Sequence, residues 1–493
     1  MKTNTSLLLL TILLAVFVVP SSISGTAIAL PFIAQELGDD TMALQWVVNA
    51  FNLFFASFTL IWGAMADTFG ARRCLLLGVC IYVLGSLLSI VAQDLFILDI
   101  ARALAGIGGA SVFACGASLL IRNFKEQERA KAFAFFGSTA GLGITFGPTI
   151  SGLLIDAFAT TSIAGFTLSY RSIFAFHFIV LALVLCLSPV LPKDIPNSEV
   201  KAPFDCIGAL LFIASLFSFM ICITSLAQFD TQTLIALIAF ILFTGALIWQ
   251  QKSLRIKGIA PLLDFEVLKN KKFFGFSLVT IIAGFSFVVL LTYFPSFLQA
   301  VFGLSASISG LYMLALTTPM LFCPILVSKM LNNGWNPKRL ALMMSLLMSV
   351  GLIILPIVVF FATSQWQPVL ILLLLFIIGI GMGLHAGGID NLALSSVDVS
   401  KAGLAAGVLN SARLGSEAVG VALYGALMFI FISIMCNTAG LGGEYISMIA
   451  SANLAELGNE ALSIYLHSFC IAIVILGIMC CASCVAVWRL LRA

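Results

Sequence analysis

Long apolar stretches broken by short polar turns run the length of the chain, and that alternation predicts its architecture. A helix of about 20 residues crosses a hydrocarbon core about 30 Å thick, so an apolar run of that order reads as a membrane span. Such runs fall near 6–33, 45–66, 74–93, 95–121, 131–157, 171–191, 204–225 and 231–251. A second series follows near 272–300, 307–331, 338–361, 366–395, 403–433 and 464–488. The pattern predicts an all-α membrane protein with about 14 spans.

Composition supports that reading. Of 493 residues, 61% are hydrophobic and 9% charged, with a mean hydropathy of +1.16; a soluble domain carries about 25% charged residues. The positive charge then orients the spans, because short cytoplasmic loops collect Lys and Arg. With the N-terminus inside, all but Arg102, Arg171 and Arg413 of the 24 basic residues fall on the inner side. A miscounted span would invert every later loop, so the alternation predicts an even number of spans and two cytoplasmic termini. The net charge of +3 is thereby accounted for by topology and gives no reason to expect nucleic acid as a partner. Twelve cysteines lie mostly in predicted helices and read as free thiols, with only Cys436 in a predicted outer loop. The apolar start, Leu7 to Val19 followed by Ser24-Gly25-Thr26-Ala27, imitates a signal peptide. It continues to Leu30-Pro31-Phe32-Ile33, however, and reads as the first span.

The charge-dense stretch near 252–271 separates eight spans from six. The organisation expected is a six-helix bundle over 1–203, two inserted helices over 204–257, a cytoplasmic linker over 258–271 and a second six-helix bundle over 272–493. Two similar halves are the plan of parallel-repeat membrane proteins. A faint repeat agrees: Gly63 to Arg73 joins spans two and three, and Val327 to Arg339 occupies the equivalent place later, without the acid. The outer loop near 434–463 carries Glu444, Glu456 and Glu460 and no basic residue; a small cap over an exit and a passive connector both fit it.

Three stretches carry mechanism. The turn after span two holds Gly63, Asp67, Gly70, Arg72 and Arg73. Glycines at this spacing permit close helix approach, and Asp67 can accept hydrogen bonds while the arginines anchor the inner surface. Span four holds Arg102 and Gly106. Span five holds Gly143, Gly147, Pro148 and Gly152, a combination that lets a helix bend and pack tightly. In this order, the G-x-x-x-D-x-x-G-x-R-R turn, the R-x-x-x-G segment and the G-x-x-x-G-P-x-x-S-G segment resemble the signatures of the major facilitator superfamily. Together with Gly407-Val408-Leu409-Asn410-Ser411-Ala412-Arg413 and Gly420-Val421-Ala422, they resemble its 14-span drug:proton antiporter family. The resemblance implies two rocking six-helix bundles, a role for Arg102 in proton transfer, and export rather than uptake for the span-five segment.

Ionisable groups inside spans point to coupling, since charge at mid-bilayer costs several kcal/mol unless paired or wet. Arg413 and Glu417, at i and i+4, share one helix face. They read either as a pair that a substrate parts, letting the carboxylate take up and release a proton, or as a static ion pair between helices. Asp99 and Arg102 form a similar i, i+3 pair near the outer end of span four. Asp390, five residues after His385 in a Gly-rich run, reads as a proton or cation site or as a helix-end acid facing cytoplasmic water. His177 and Asp156 read as structural. The resembled family places an acid in span one shortly before Ala29-Leu30-Pro31; here the stretch is Ser21 to Thr26, with no acid.

No Walker loop, metal-binding helix motif or nucleophile elbow occurs in a usable context, so no enzyme activity, cofactor or metal is expected and an ion gradient is the expected energy source. The function expected is a proton-coupled, inner-membrane, multi-pass exporter of amphipathic or lipophilic compounds, of the multidrug type and acting as a monomer. A dedicated carrier for one metabolite is the alternative; a membrane scaffold or sensor finds little support.

Overall fold

The structure is a computed structural model describing residues 5–492 except 39, 125, 164, 194–204, 227–229, 260, 264–267, 362–364, 398–401, 442, 453 and 455–456. Helices dominate it. The first group comprises α1 (Thr5–Leu37), α2 (Thr41–Phe69), α3 (Ala71–Val91), α4 (Leu95–Asn123), α5 (Glu126–Ala157) and α6 (Arg171–Cys186). A two-stranded antiparallel hairpin, β1 (Ser162–Ile163) and β2 (Phe166–Thr167), lies between α5 and α6. Then come α7 (Cys206–Thr224) and α8 (Thr231–Ile256). The second group is α9 (Lys271–Ala283), α10 (Val289–Phe302), α11 (Ala306–Thr317), α12 (Pro319–Asn332), α13 (Pro337–Phe361), α14 (Gln367–Leu394), α15 (Ala402–Ala439), α16 (Gly443–Ala450) and α17 (Gly458–Leu490).

The polar breaks end helices by recognisable chemistry. Asp94, Asp205, Asp230 and Ser305 each accept a backbone N–H in the first turn of α4, α7, α8 and α11, which satisfies a donor that has no intrahelical partner. Gly303 closes α10 in the left-handed region, at φ 63°. Thirteen continuous helical stretches among the described residues are long and apolar enough to cross a membrane, α9 with α10 and α11 with α12 each counting as one. The sixth expected span is shorter than predicted: α6 stops at Cys186, about 24 Å in length at 1.5 Å per residue, and a 3-10 turn Ser188–Val190 follows. Pro189 lacks the N–H that continuation would need.

Three other details depart from the hydropathy reading. The span expected near 272–300 contains a π-helical turn, Gly284–Val288, between α9 and α10. The span near 307–331 changes register at Pro319, where α11 gives way to α12. Cys436, expected in an outer loop, is buried within α15, which runs to Ala439. All twelve cysteines are free thiols.

Packing follows the two groups. Within the first, α2 and α3 pack on α4, and α1 on α5; within the second, α13 packs on α14 and α17, and α12 on α14. Helices α7 and α8 pack on one another, with α7 seated against α2 and α15 through Leu53, Met220, Ile223, Ala418 and Ala422. One contiguous apolar core runs through the second group and continues into the first through Ile28, Leu30, Val47, Leu98, Ile155 and Phe174. All of these lie toward the end of the molecule that carries Gly38 and the β-hairpin. The rest of the first group, from Leu8 and Ile12 to Ala132 and Phe136, forms a separate core. The groups are therefore welded through one half of the molecule.

Candidate functional site

The weld is built from three seams. Between α5 and α11, Thr145 Oγ1 donates to the Thr317 carbonyl at 3.3 Å and Thr317 Oγ1 donates to that of Thr145 at 3.4 Å. Thr149 Oγ1 donates to the Gly310 carbonyl at 3.1 Å. Gly152 and Gly310 make the approach possible. A Cβ on Gly310 would stand 2.6 Å from the Pro148 oxygen, and one on Gly152 would run into the backbone of Ala306. Between α1 and α10, Ser296 Oγ and Gln299 Nε2 donate to the carbonyls of Ala27 and Ile28 at 3.1 and 3.2 Å. Between α2 and α15, the Gln45 amide lies against the open face of Gly425.

The structure divides the span-five motif between two partners. Gly152 and Pro148 face the other group, whereas Gly143 and Gly147 seat α5 against α1 of their own group, at Phe17, Ser21 and Ser24. The serine that stands in place of a glycine, Ser151, is accommodated by Gly25 opposite it. A small residue on one helix thus meets a larger one on the other at both levels, which allows helix backbones to approach closely.

In the first group Arg102 is 1% exposed. Its Nε donates to the Val47 carbonyl at 2.9 Å and its Nη1 to Ser22 Oγ at 2.8 Å, and its guanidinium lies 4.5 Å from the centre of the Phe51 ring. One arginine of α4 thereby holds α1 and α2. It makes no salt bridge with Asp99, whose Oδ1 is buried without a hydrogen-bond partner. The residues of the acid-free stretch of α1 do other work, Ser22 binding Arg102 and Ser24 packing on Gly147.

In the second group α15 packs on the π-helical turn through its backbone at Ser416 and Glu417, one turn beyond Arg413. A Cβ on Gly284 would stand 2.8 Å from the Glu417 nitrogen, and one on Gly420 would stand 2.9 Å from the Gly284 oxygen. Thr280, one turn before Gly284, links three helices. Its carbonyl accepts from Ser416 Oγ at 3.3 Å, and its Oγ1 lies 3.3 Å from Nε2 of His385, which is 1% exposed. Arg413 and Glu417 form no salt bridge with one another; among the described residues an ion pair joins Arg171 to Glu36 instead. Sequence reasoning passed over Thr280 and Ser416, because a single hydroxyl in an apolar run carries no periodic signal. Arg171, read only as a span-edge residue, also ties Ile90 O and Ala92 O at 2.9 and 2.8 Å to α6.

At the α2–α3 turn, Gly70 adopts φ 102° as the residue before α3, a conformation that favours glycine. Arg72 Nη2 donates to the Ser188 carbonyl at 3.3 Å and Arg122 Nη2 to that of Ala66 at 3.4 Å, tying this region to the 3-10 turn after α6 and to α4. Arg73 is exposed. Gly63 meets no neighbour within 4 Å of where a Cβ would lie, so close approach does not require it. The side chains of Asp67 and Asp390 lie outside the described residues.

A polytopic bundle in two groups, with buried ionisable residues in each, has counterparts among known proteins. The Major Facilitator Superfamily profile matches residues 12–421, and the chain belongs to that family of transporters. It is 27% identical over 413 residues to the multidrug resistance protein Stp of Mycobacterium tuberculosis, covering 82% of this chain and 72% of that one. It is 25% identical over 457 residues to the drug efflux pump JefA of the same species, covering 92% and 86%. In fold it is similar to a bacterial homologue of the human lysosomal transporter Spinster in an inward-facing, occupied conformation, with a TM-score of 0.68, 17% identity and coverage of 99% and 97%.

Proposed function

We propose that the protein is a proton-coupled exporter of amphipathic compounds in the plasma membrane, working as a monomer with 14 spans and cytoplasmic termini. Two six-helix bundles, 1–203 and 272–493, rock about the three seams, and the inserted pair 204–257 buttresses α2 and α15. The observation that carries this reading is the position of Glu417. It lies within a membrane helix, one turn from Arg413 and packed against the π-helical turn, in a chain whose curated relatives include proteins named as drug efflux pumps. A carboxylate held in a membrane core without a salt bridge is costly to charge, so its protonation can be linked to which way the pathway opens. The π-helical turn beside it supplies a place where α9 and α10 can move relative to α15, and such turns are frequent at functional sites.

Arg413 tunes that carboxylate through its charge, Arg102 with Asp99 serves the first bundle, Asp390 is a second proton site, and Asp67 with Arg72 and Arg73 latches the inner side. With the termini inside, the welded half is the outer half, so the conformation is closed outward.

Ethidium efflux from energised cells, with and without a protonophore, tests the reading on wild type and Glu417→Gln. Protonophore-sensitive efflux that disappears in the variant is expected. Efflux retained by Glu417→Gln would remove Glu417 from the coupling role and move attention to Asp390 or Asp99, and no efflux by wild type would favour a dedicated carrier.

A further inference from the structure

The turn between α12 and α13 is the later copy of the α2–α3 turn, without its acid. Gly334 adopts φ 79° and the Trp335 N–H reaches back to the Met330 carbonyl at 3.1 Å, which closes α12. Asn336 Oδ1 then accepts the Lys338 N–H at 2.9 Å, so α13 opens with Lys338 and Arg339 in its first turn. That helix packs on α17, whose end carries Trp488 and Arg489 with Arg492 just beyond. The two ends meet on one ring. Lys338 Nζ lies 5.8 Å and the Arg492 guanidinium 4.0 Å from the centre of the Trp488 indole, distances at which a cation is attracted to an aromatic face. The start of α9 closes on the same corner, where Leu490 and Leu491 lie against Gly275, one turn after Lys271 and Lys272.

Two features separate this corner from the positive charge that any cytoplasmic helix end collects. The first is the lack of a counter-charge. Around the α2–α3 turn the arginines are tied to protein acceptors, Arg72 to Ser188 and Arg122 to Ala66, and the sequence supplies Asp67, Glu126 and Glu128 alongside. Among the described residues the side chains of Lys338, Arg339, Arg489 and Arg492 have neither a carboxylate nor a carbonyl partner, and no acid stands in the first turn of α9 or α13. Asp264 and Glu266, the acids that precede α9, lie outside the described residues. The two cations on the indole are closer together than the Debye length of about 10 Å, so salt screens their repulsion only in part. Lys338 and Arg339 also stand at the positive end of the α13 dipole, where cations are disfavoured. The second feature is the apolar surface beside the charges. Trp488 is 39% and Trp335 50% exposed, and half-exposed indoles belong at the level of lipid headgroups. Val485, three residues before Trp488, and Leu346, seven after Arg339, continue the same helix faces as exposed apolar side chains. An anion that settles here therefore gains most if it carries its own hydrocarbon.

We infer that the corner formed by Lys338, Arg339, Arg489 and Arg492 around Trp488 binds the phosphate headgroup of an anionic phospholipid. The guanidinium forks suit phosphate oxygens two at a time and Lys338 adds a point charge, while the acyl chains run along the exposed faces of α13 and α17. Basic clusters between helix ends on the cytoplasmic side take such headgroups. The lipid neutralises four cations that the protein leaves without an acid, and it joins the ends of α13 and α17 across the Trp488 ring. The site rests on the proposed function only for placing this end of the molecule at the cytoplasmic leaflet.

The test reads Trp488 fluorescence in the full chain, reconstituted without an ion gradient into vesicles of phosphatidylcholine and phosphatidylglycerol with bromine on the acyl chains of one lipid or the other. The Trp488 contribution is the signal lost in Trp488→Phe, which keeps an aromatic ring. Brominated phosphatidylglycerol is expected to quench it as though enriched about fivefold over phosphatidylcholine at the site. Lys338→Gln with Arg492→Gln should abolish that preference, and Lys338→Arg with Arg492→Lys should keep it. Lys252→Gln with Lys257→Gln, which removes as much charge elsewhere, should leave it intact. Thermal melting identifies any variant that fails to fold. Equal quenching by the two lipids in wild type, an unchanged preference in the Lys338 and Arg492 glutamine pair, or an equal loss in the Lys252 and Lys257 pair would overturn the site. Displacement of the brominated lipid by millimolar inorganic phosphate would overturn it too, by assigning the corner to a soluble anion. Because no gradient is involved, failure of proton-coupled efflux leaves this result standing, and failure here leaves efflux untouched.

Discussion

Asp156, near the end of α5, accepts the backbone N–H of Ser307 at 3.1 Å and the Ser307 hydroxyl as well. A carboxylate of the first group thus caps a helix, α11, that belongs to the second. Capping bonds are worth about 1 kcal/mol. The reading of Asp156 as structural therefore becomes more specific: it fastens the end of the α5–α11 seam beyond the threonine ladder.

Asp156→Ala should loosen this seam, while Asp156→Asn retains much of the cap. The check is hydrogen exchange of the amides at Ser307 and Ile308. A roughly fivefold faster exchange in the alanine variant, and a smaller change in the asparagine variant, correspond to a loss of about 1 kcal/mol. Equal exchange in all three proteins would show that the cap does not hold the seam.

Glycines that carry the seams should respond differently from those that do not. Gly310→Ala places a Cβ 2.6 Å from the Pro148 oxygen, whereas Gly63→Ala places one in open space. Since overpacking typically costs about 1–3 kcal/mol, Gly310→Ala should lower the melting temperature and slow transport, with Gly63→Ala near wild type in both. Gly25→Ala, driven against Ser151, should be rescued in part by Ser151→Gly. A double-mutant cycle in thermal stability measures that coupling, and strict additivity would show that the two residues do not share the site.

Hydropathy and positive charge make the helical plan and its order legible, because membrane solvation acts on every residue of a span at once. What escaped was local or relational. Pro189 shortens α6 by a few residues inside a run that is apolar throughout. The π-helical turn at Gly284 has no compositional mark, since Gly-Phe-Ser-Phe-Val is as apolar as its flanks. Gly143, Gly147 and Gly152 look alike along the chain, and only three dimensions show that two face α1 and the third faces α11. For the same reason the cation pair on Trp488 could not be read from the chain: Lys338 and Arg492 come from helix ends far apart in sequence.

The buried arginine of α4 makes another separable prediction. Ser22→Ala removes one of two hydrogen bonds on the Arg102 guanidinium, whereas Arg102→Lys removes the planar fork and its seat on Phe51. A lysine ammonium cannot reproduce that geometry. A hydrogen bond to a charged group is worth about 1.5–3 kcal/mol, so Ser22→Ala should destabilise measurably in detergent melting and Arg102→Lys more. The reverse order would show that Ser22, rather than the arginine, organises this corner.

Asp205 should act on the inserted pair alone. Its carboxylate caps α7 at the Gly208 N–H at 2.8 Å and receives Gln250 Nε2 and Gln251 Nε2 from α8 at 2.9 and 2.7 Å. Gln251 Oε1 in turn accepts the Leu263 N–H at 3.0 Å, so the linker beyond α8 is held through the same carboxylate. Asp205→Ala leaves two side-chain amides and a helix N-terminus without their shared acceptor. The loss concentrates at the base of the hairpin, where Lys252, Arg255 and Lys257 offer tryptic sites. Cleavage there should become severalfold faster in Asp205→Ala than in wild type, consistent with local opening of about 1–2 kcal/mol. Asp205→Asn, able to accept one amide and cap α7, should fall between them. If all three chains are cut at the same rate, the linker is held by something other than this carboxylate, and α7 and α8 dock through their apolar faces alone.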